Sequence, residues 1–200
     1  PLSFTIPGVI AALLSMLEHY GTRTLAEILA PSIRYAAAGF PNYEYMLQRI
    51  DNDSIRSQFD LFPPGGRDIF FDNGKAQKPG SLLVQKSLAG MLKQLVTAES
   101  ESTGTRIDGI RAANDAFYRG DIARSMVAFS DQVGGVLSME DLDGYKPQYE
   151  EPIKGTFMGH EISSHSTWTQ GIMTIQILNV LESFDLKPMG HNSAEYIHTF

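Results

Sequence analysis

A helix-rich α+β fold is predicted for this chain, on three observations. Apolar residues recur at three- and four-residue spacing over most of its length, beginning with Ile10, Leu13, Leu14 and Leu17. Helix-start signatures, a Ser or Thr followed three residues later by an acid, stand at Thr24/Glu27 and Ser138/Asp141. Period-two alternation is confined to one short region after Tyr145.

Taken in order, Pro7 suits the first position of an opening helix, where a missing N–H costs nothing, and Gly21 supplies the stop. A second helix starts at Thr24, restarts or kinks at Pro31, and ends at Gly39. These two are expected to pack as an antiparallel pair across a short turn. Residues 41–58 read as helix again, with Tyr45, Ile50 and Ile55 on a partly apolar face. The run Pro63 to Gly66 and the pairs Asn73-Gly74 and Pro79-Gly80 then mark a surface loop. It holds one short strand, Asp68 to Phe71, turning at Asn73-Gly74.

Helix resumes at Ser81 and continues to about Thr97, carrying Leu82, Leu83, Leu88, Leu92 and Leu95. The polar stretch TAESESTGTR reads as a loop tip. Helices follow from about Ile107 to Tyr118, stopped at Gly120, and from Asp121 to Gln132. Gly134-Gly135 is a tight turn and Ser138 opens a short helix. Tyr149, Glu151 and Ile153, then Thr156, Met158, His160 and Ile162, suggest two strands around a turn at Lys154-Gly155. The last helices run from about Gln170 to Ser183 and onward from Asn192, an N-cap with Glu195 at the third helical position. Phe200 follows Tyr196 and Ile197 without a cap, so the chain is expected to be a piece that breaks off inside a helix.

The hydrophobic fraction of 42% and charged fraction of 20% over 200 residues suit an ordinary globular core. The net charge is -7, and the 16 basic residues lie scattered among 23 acidic ones. That distribution argues against a nucleic-acid surface, which needs clustered Lys and Arg. With no cysteine, disulfides, thiolate metal sites and a cysteine nucleophile are excluded from this segment. The apolar run Ile6 to Leu17 is interrupted and too short for a membrane span, and no basic region precedes it as in a signal peptide. Localisation stays open.

Constellations that suggest chemistry are weak. Gly134-Gly135 has no nucleophile beside it to serve as an oxyanion hole. His191 and His198 stand seven apart and could share a helix face, with His160 and His165 on a strand and loop. Zinc prefers three or four ligands at tight spacing, so neither metal nor cofactor is expected. No G-x-S-x-G elbow is present, and no Lys-Ser/Thr follows the PPGG run as a phosphate loop requires. Trp168 either lines a pocket or anchors its polar loop to the core.

An ordered set of segments carries a family likeness. In sequence they are PGVIAALLSMLEHYG, LAEILAPSIRYAAAGFP, KPGSLLVQKSLAGMLKQL, AFYRGDIARSM, GGVLSMEDLDGYKPQYEEPIKGTFMGHEI, QILNVLESFDL and GHNSAEYIH. The set resembles the heavy-chain portion of the γ-glutamyltransferase (γ-glutamyltranspeptidase) family, in one collinear order across essentially the whole chain. The resemblance implies a helix-rich fragment of an N-terminal-nucleophile (Ntn) hydrolase with an αββα sandwich, made as one precursor that cuts itself into two chains. It implies that residues 1–200 are part of the large-chain region, truncated at both ends, whose partner is the small-chain portion. The substrate would be a small γ-glutamyl or other amide.

In that family a threonine that becomes the first residue of the small chain is the nucleophile, its α-amino group can serve as base, and paired glycine N–H groups hold the oxyanion. An arginine early in the large chain holds the substrate α-carboxylate. None of these maps onto the present sequence, so no catalytic, substrate-binding or metal residue is expected within it. Two departures stand out. Where the family has a proline-rich stretch before Ser-Ser-Gly-Gly, this chain has Ser164-His165-Ser166-Thr167-Trp168-Thr169-Gln170-Gly171, and the connection from Ala98 to Arg106 is longer and polar. The first motivates two alternatives: a divergent acylase or amidohydrolase of the same fold, and a non-catalytic helical scaffold.

Overall fold

The computed structural model describes residues 5–61 and 66–200, which fall into two compact units, Pro1–Pro147 and Gln148–Phe200. The first unit runs α1 (Val9–Tyr20), α2 (Leu25–Ala38), β1 (Phe40–Pro41), α3 (Glu44–Ile50), α4 (Asp53–Leu61) and α5 (Arg67–Phe70). It continues with β2 (Phe71–Asp72), β3 (Lys75–Ala76), β4 (Leu82–Leu83), α6 (Lys86–Glu101), α7 (Arg106–Tyr118), α8 (Asp121–Gln132) and α9 (Met139–Gly144). The second holds β5 (Ile153–Phe157), β6 (His160–Ser164), α10 (Gly171–Leu181), α11 (Leu186–Met189) and α12 (Ala194–Thr199). The strands pair antiparallel as β1 with β4, β2 with β3 and β5 with β6. This is the helix-rich α+β architecture that the periodicity predicts. The Pro63 to Gly66 run lies outside the described residues except for Gly66.

The core of the first unit forms around α7, which packs against α1, α6, α8 and α9. Ile110, Ala113, Phe117 and Tyr118 of α7 are buried with Leu14 and Leu17 of α1, Leu95 of α6 and Leu142 of α9. The chief partner of α1 is therefore α7, and that of α2 is α6, so the first two helices do not form the expected hairpin pair. Apolar stripes specify which face is buried, not which helix buries it.

Remote side chains complete several helix ends. Pro7 lies outside α1, and the N-cap is Gly8, which makes no side-chain cap. The Tyr118 hydroxyl supplies one: it accepts the Ala11 N–H at 3.1 Å and donates to the Pro7 carbonyl at 2.5 Å. Burial pushes the Tyr118 phenol up, which keeps the donated proton in place. At the far end of α1, the Arg106 guanidinium donates to the Leu17 and Glu18 carbonyls at 3.2 and 3.3 Å. Helix α2 begins with the expected Thr24/Glu27 capping box, and Glu99 of α6 then accepts the Leu25 and Ala26 N–H groups at 2.7 and 3.1 Å. Two orphan donors of the first turn are thus met by a carboxylate at the positive end of the helix dipole.

Several boundaries differ from the sequence expectation. Helix α2 passes through Pro31 without restarting; Pro31 is exposed, where the carbonyl it leaves unpaired can be hydrated. Residues 41–58 contain two helices, α3 and α4, separated at Asp51 and Asn52. Residues Asp68 to Phe70 are helical, and the hairpin β2–β3 follows, turning at Asn73-Gly74 with φ of 49° and 77°. Phe59 packs its ring on Phe70 and Phe71 at 5.6 and 5.4 Å, holding that hairpin to α4. Leu82 and Leu83 are a strand, not helix, because they pair with Pro41 and Phe40 and bury Leu83. The supposed loop tip from Thr97 is helix as far as Glu101, since α6 must continue to carry Glu99 onto α2.

In the second unit the β5–β6 turn is Met158-Gly159, not Lys154-Gly155. Both turn residues are left-handed, with φ of 50° and 80°, as a two-residue hairpin needs. Gly155 serves packing instead: a Cβ there would stand 2.5 Å from the Ile175 Cγ2 of α10. Helix α12 is capped by Ser193, which accepts the Tyr196 N–H at 3.0 Å, while Asn192 takes a left-handed φ of 56° one residue earlier.

Two outcomes follow from these ends. Tyr118→Phe leaves the Ala11 N–H and Pro7 carbonyl unpaired in the interior, so chemical denaturation should show a loss of about 1–3 kcal/mol. The Thr24 backbone N–H holds the Glu27 carboxyl below its ordinary range, and the Thr105 and Ser138 hydroxyls do the same for Asp108 and Asp141. These carboxyls ionise more readily folded than unfolded, so their stabilisation is full above the unfolded carboxylate range and is lost as pH falls through the folded values. The melting midpoint should therefore fall between about pH 5 and pH 2, and less steeply in a Glu27→Gln, Asp108→Asn, Asp141→Asn variant.

Candidate functional site

Several concavities open on the described surface, and one in each unit is edged by side chains that could do chemistry. In the first, a cleft of about 330 Å³ has Ala11, Leu14 and Ile110 as its floor. Arg111, Arg119 and Lys146 stand at its rim beside Glu18, Asn114 and Asp115. These charges are largely matched to one another. Arg111 Nη2 lies 2.6 Å from Glu18 Oε1, and that bond raises the guanidinium pKa further. Arg119 pairs with both Asp115 and Asp143 and donates to the Asp143 carbonyl at 3.1 Å. Ion pairs of this kind knit α1 to α7 and α7 to α9.

In the second unit, a cleft of about 370 Å³ lies between Glu150–Glu151–Pro152 and Ser163–Ser164–His165–Ser166. It sits beside the segment 164–171 in which the sequence departs from its family pattern. The segment is locally ordered: the Thr169 N–H and hydroxyl both donate to the Ser166 carbonyl at 3.1 and 3.3 Å, and the Gly171 N–H donates to the Thr169 hydroxyl at 3.3 Å. Gly171 is required by close approach, because a Cβ there would meet the Ser164 hydroxyl and the His165 carbonyl, the latter at 2.9 Å. Trp168 does not anchor the loop to the core. It is 71% exposed, its indole N–H donates to Glu150 Oε2 at 2.9 Å, and its ring lies 5.6 Å from that of His165. Glu150 and His165 are thereby engaged with Trp168 instead of with a serine hydroxyl.

Other sequence candidates resolve into structure. The Gly134 N–H donates to Asp131 O at 3.2 Å and the Gly135 N–H to Ser130 O at 2.7 Å, so both close α8. Gly134 has a φ of 71°, the left-handed conformation of a helix stop. His198 lies on α12 but His191 precedes it, in a turn, so the two do not share a helix face. Among the described residues, no group of three or more His, Cys, Asp or Glu is placed to hold a metal ion, and no helix is long and apolar enough to cross a membrane. Sequence reading missed the remote caps, Tyr118 and Glu99. Their partners lie 107 and 74 residues away, and no local signal announces them.

A family model described as gamma-glutamyltranspeptidase matches residues 1–200. The glutathione hydrolase proenzyme of Pseudomonas sp. (strain A14) is 30% identical over 98% of this chain and 32% of its own length. The acylase ACY 1 proenzyme of Pseudomonas sp. (strain SE83) is likewise 30% identical, over 96% of this chain and 32% of its own. The chain thus spans about a third of the length of these relatives, both of which are proenzymes. The crystal structure of Helicobacter pylori gamma-glutamyltranspeptidase superposes with a TM-score of 0.83 at 28% identity, over 99% of this chain and 52% of that one. Matched from end to end in sequence and in fold, the chain belongs to the γ-glutamyltranspeptidase family.

Proposed function

We propose that residues 1–200 are part of the large-chain region of a γ-glutamyltransferase-like Ntn amidohydrolase precursor, which cleaves or transfers γ-glutamyl groups of glutathione-like amides after processing itself. The observation that carries this reading is the end-to-end match to a family of proenzymes. The internal chemistry agrees with it. The carboxyls with lowered pKa, Glu27, Asp108 and Asp141, serve the capping boxes of α2, α7 and α9. This segment is scaffold, and the reacting groups belong to the rest of the precursor.

The nucleophilic threonine, its α-amino base and the oxyanion glycines lie in the small chain beyond Phe200. The arginine for the substrate α-carboxylate lies before Pro1. One oxyanion donor of this kind contributes about 3 kcal/mol of transition-state stabilisation, which a chain lacking it does not recover. The second reading, an acylase acting on another amide, keeps the same fold: the acylase proenzyme is as similar as the glutathione hydrolase proenzyme, so identity does not favour it over the first. The scaffold without chemistry has no such support.

The test uses the full-length parent. Intact mass before and after incubation should reveal two chains, cut immediately before a threonine, with turnover of γ-glutamyl-p-nitroanilide. The 200-residue chain alone should be inert. Turnover of glutaryl-p-nitroanilide, which lacks only the α-amino group, in place of the γ-glutamyl compound identifies the acylase. A single uncut chain inert to both refutes the hydrolase reading.

A further inference from the structure

Helix α10 is apolar on two opposite faces, and its own unit covers one of them. Between Gly171 and Leu181 there is no charged residue. Gly171, Ile175 and Leu181 are buried, and the helix packs against β5 and β6. On the other side Met173, Ile177 and Val180 follow at helical spacing, with Phe184 just past the helix end. They are 48%, 47%, 63% and 46% exposed. A surface helix of a finished domain carries polar residues on its outer face, and one apolar all round is interior. The unit is also short of core, since its buried apolar side chains among the described residues are Ile175 and Leu181. A unit of this length is marginal as a domain, and with so few buried apolar side chains it is short of the core that would make it one.

We infer that the Met173–Ile177–Val180–Phe184 stripe is an interface that seats an apolar element of the same precursor, from the chain following Phe200. This rests on the reading above that the precursor continues there. Three observations select that occupant. The relatives are about three times the length of this chain, so ample sequence is available to supply it. The stripe carries no charge, which excludes an acidic or basic partner and fits an apolar helix or sheet face. It lies in the C-terminal unit, which also exposes Ile197 and Phe200 at its end, and elements that follow one another in sequence are neighbours in most folds. The stripe is thus a core half-built by this segment and completed by the next.

Two variants of the full-length precursor test this. With Ile177→Cys, maleimide labelling read on the tryptic peptide should be slower by about tenfold or more than at an exposed Lys154→Cys control, and equal to it in denaturant. Equal labelling in the native protein overturns the interface. A benzophenone side chain at position 184, aromatic like the native Phe184, identifies the occupant. Crosslinks to a peptide beyond Phe200 support the assignment, and crosslinks to a second copy, to an earlier segment or to nothing overturn it. Failure of Ile177→Cys to fold leaves the position-184 crosslink to decide. Labelling and crosslinking read packing, whereas self-cleavage and anilide turnover read chemistry. An uncut precursor whose Ile177→Cys thiol is protected would thus refute the proposed function and leave the interface standing.

Discussion

The first unit is organised by one phenol. Tyr118 is the last residue of α7, and its hydroxyl bonds the Pro7 carbonyl and the Ala11 N–H on either side of the start of α1. Its ring lies 4.8 Å from Phe117 and stacks at 5.9 Å on Tyr145, just past α9. One side chain thereby ties three segments that are far apart in sequence. Gly8 answers to the same cluster, because a Cβ there would collide with the Tyr145 hydroxyl. Buried polar groups impose direction on an interior that apolar contact alone would let slide, since an unmatched partner costs a full hydrogen bond.

The same logic governs the charged residues. Glu99 caps α2, Arg106 closes α1, Arg111 holds Glu18, and Arg119 spans Asp115 and Asp143. Each exposed pair contributes little by itself, and together they set which helix ends meet. The Glu27, Glu99, Asp108 and Asp141 carboxylates are likewise committed to helix starts. The second unit, by contrast, is rich in exposed apolar side chains and poor in buried ones among the described residues.

Much of the helical layout was legible in the chain. Thr24/Glu27 and Ser138/Asp141 stand as capping boxes, Asp121 to Gln132 is α8, and Gly134 stops it left-handed. These features are local: a hydroxyl and a carboxylate three residues apart satisfy each other whatever surrounds them. What failed failed for one reason. Leu82 and Leu83 carry helical spacing and form a strand, because residues 40 and 41 offer them a ladder. Thr97 to Glu101 read as polar loop and are helix, because Glu99 has a partner on α2. Lys154-Gly155 and Met158-Gly159 are equally good turn pairs on paper, and the packing of Ile175 on Gly155 decides between them.

The candidate sites divide the same way. By itself the sequence determined the helix-rich class, the absence of cysteine chemistry and the family likeness carried by an ordered set of motifs, since composition, period and order survive without knowledge of contacts. Only the tertiary structure decided that Gly134 and Gly135 commit their N–H groups to α8, that Trp168 stands exposed on Glu150, and that α10 has a second apolar face left open. Those are questions of which distant group meets which, and a chain does not reveal its long-range partners until it has folded around them.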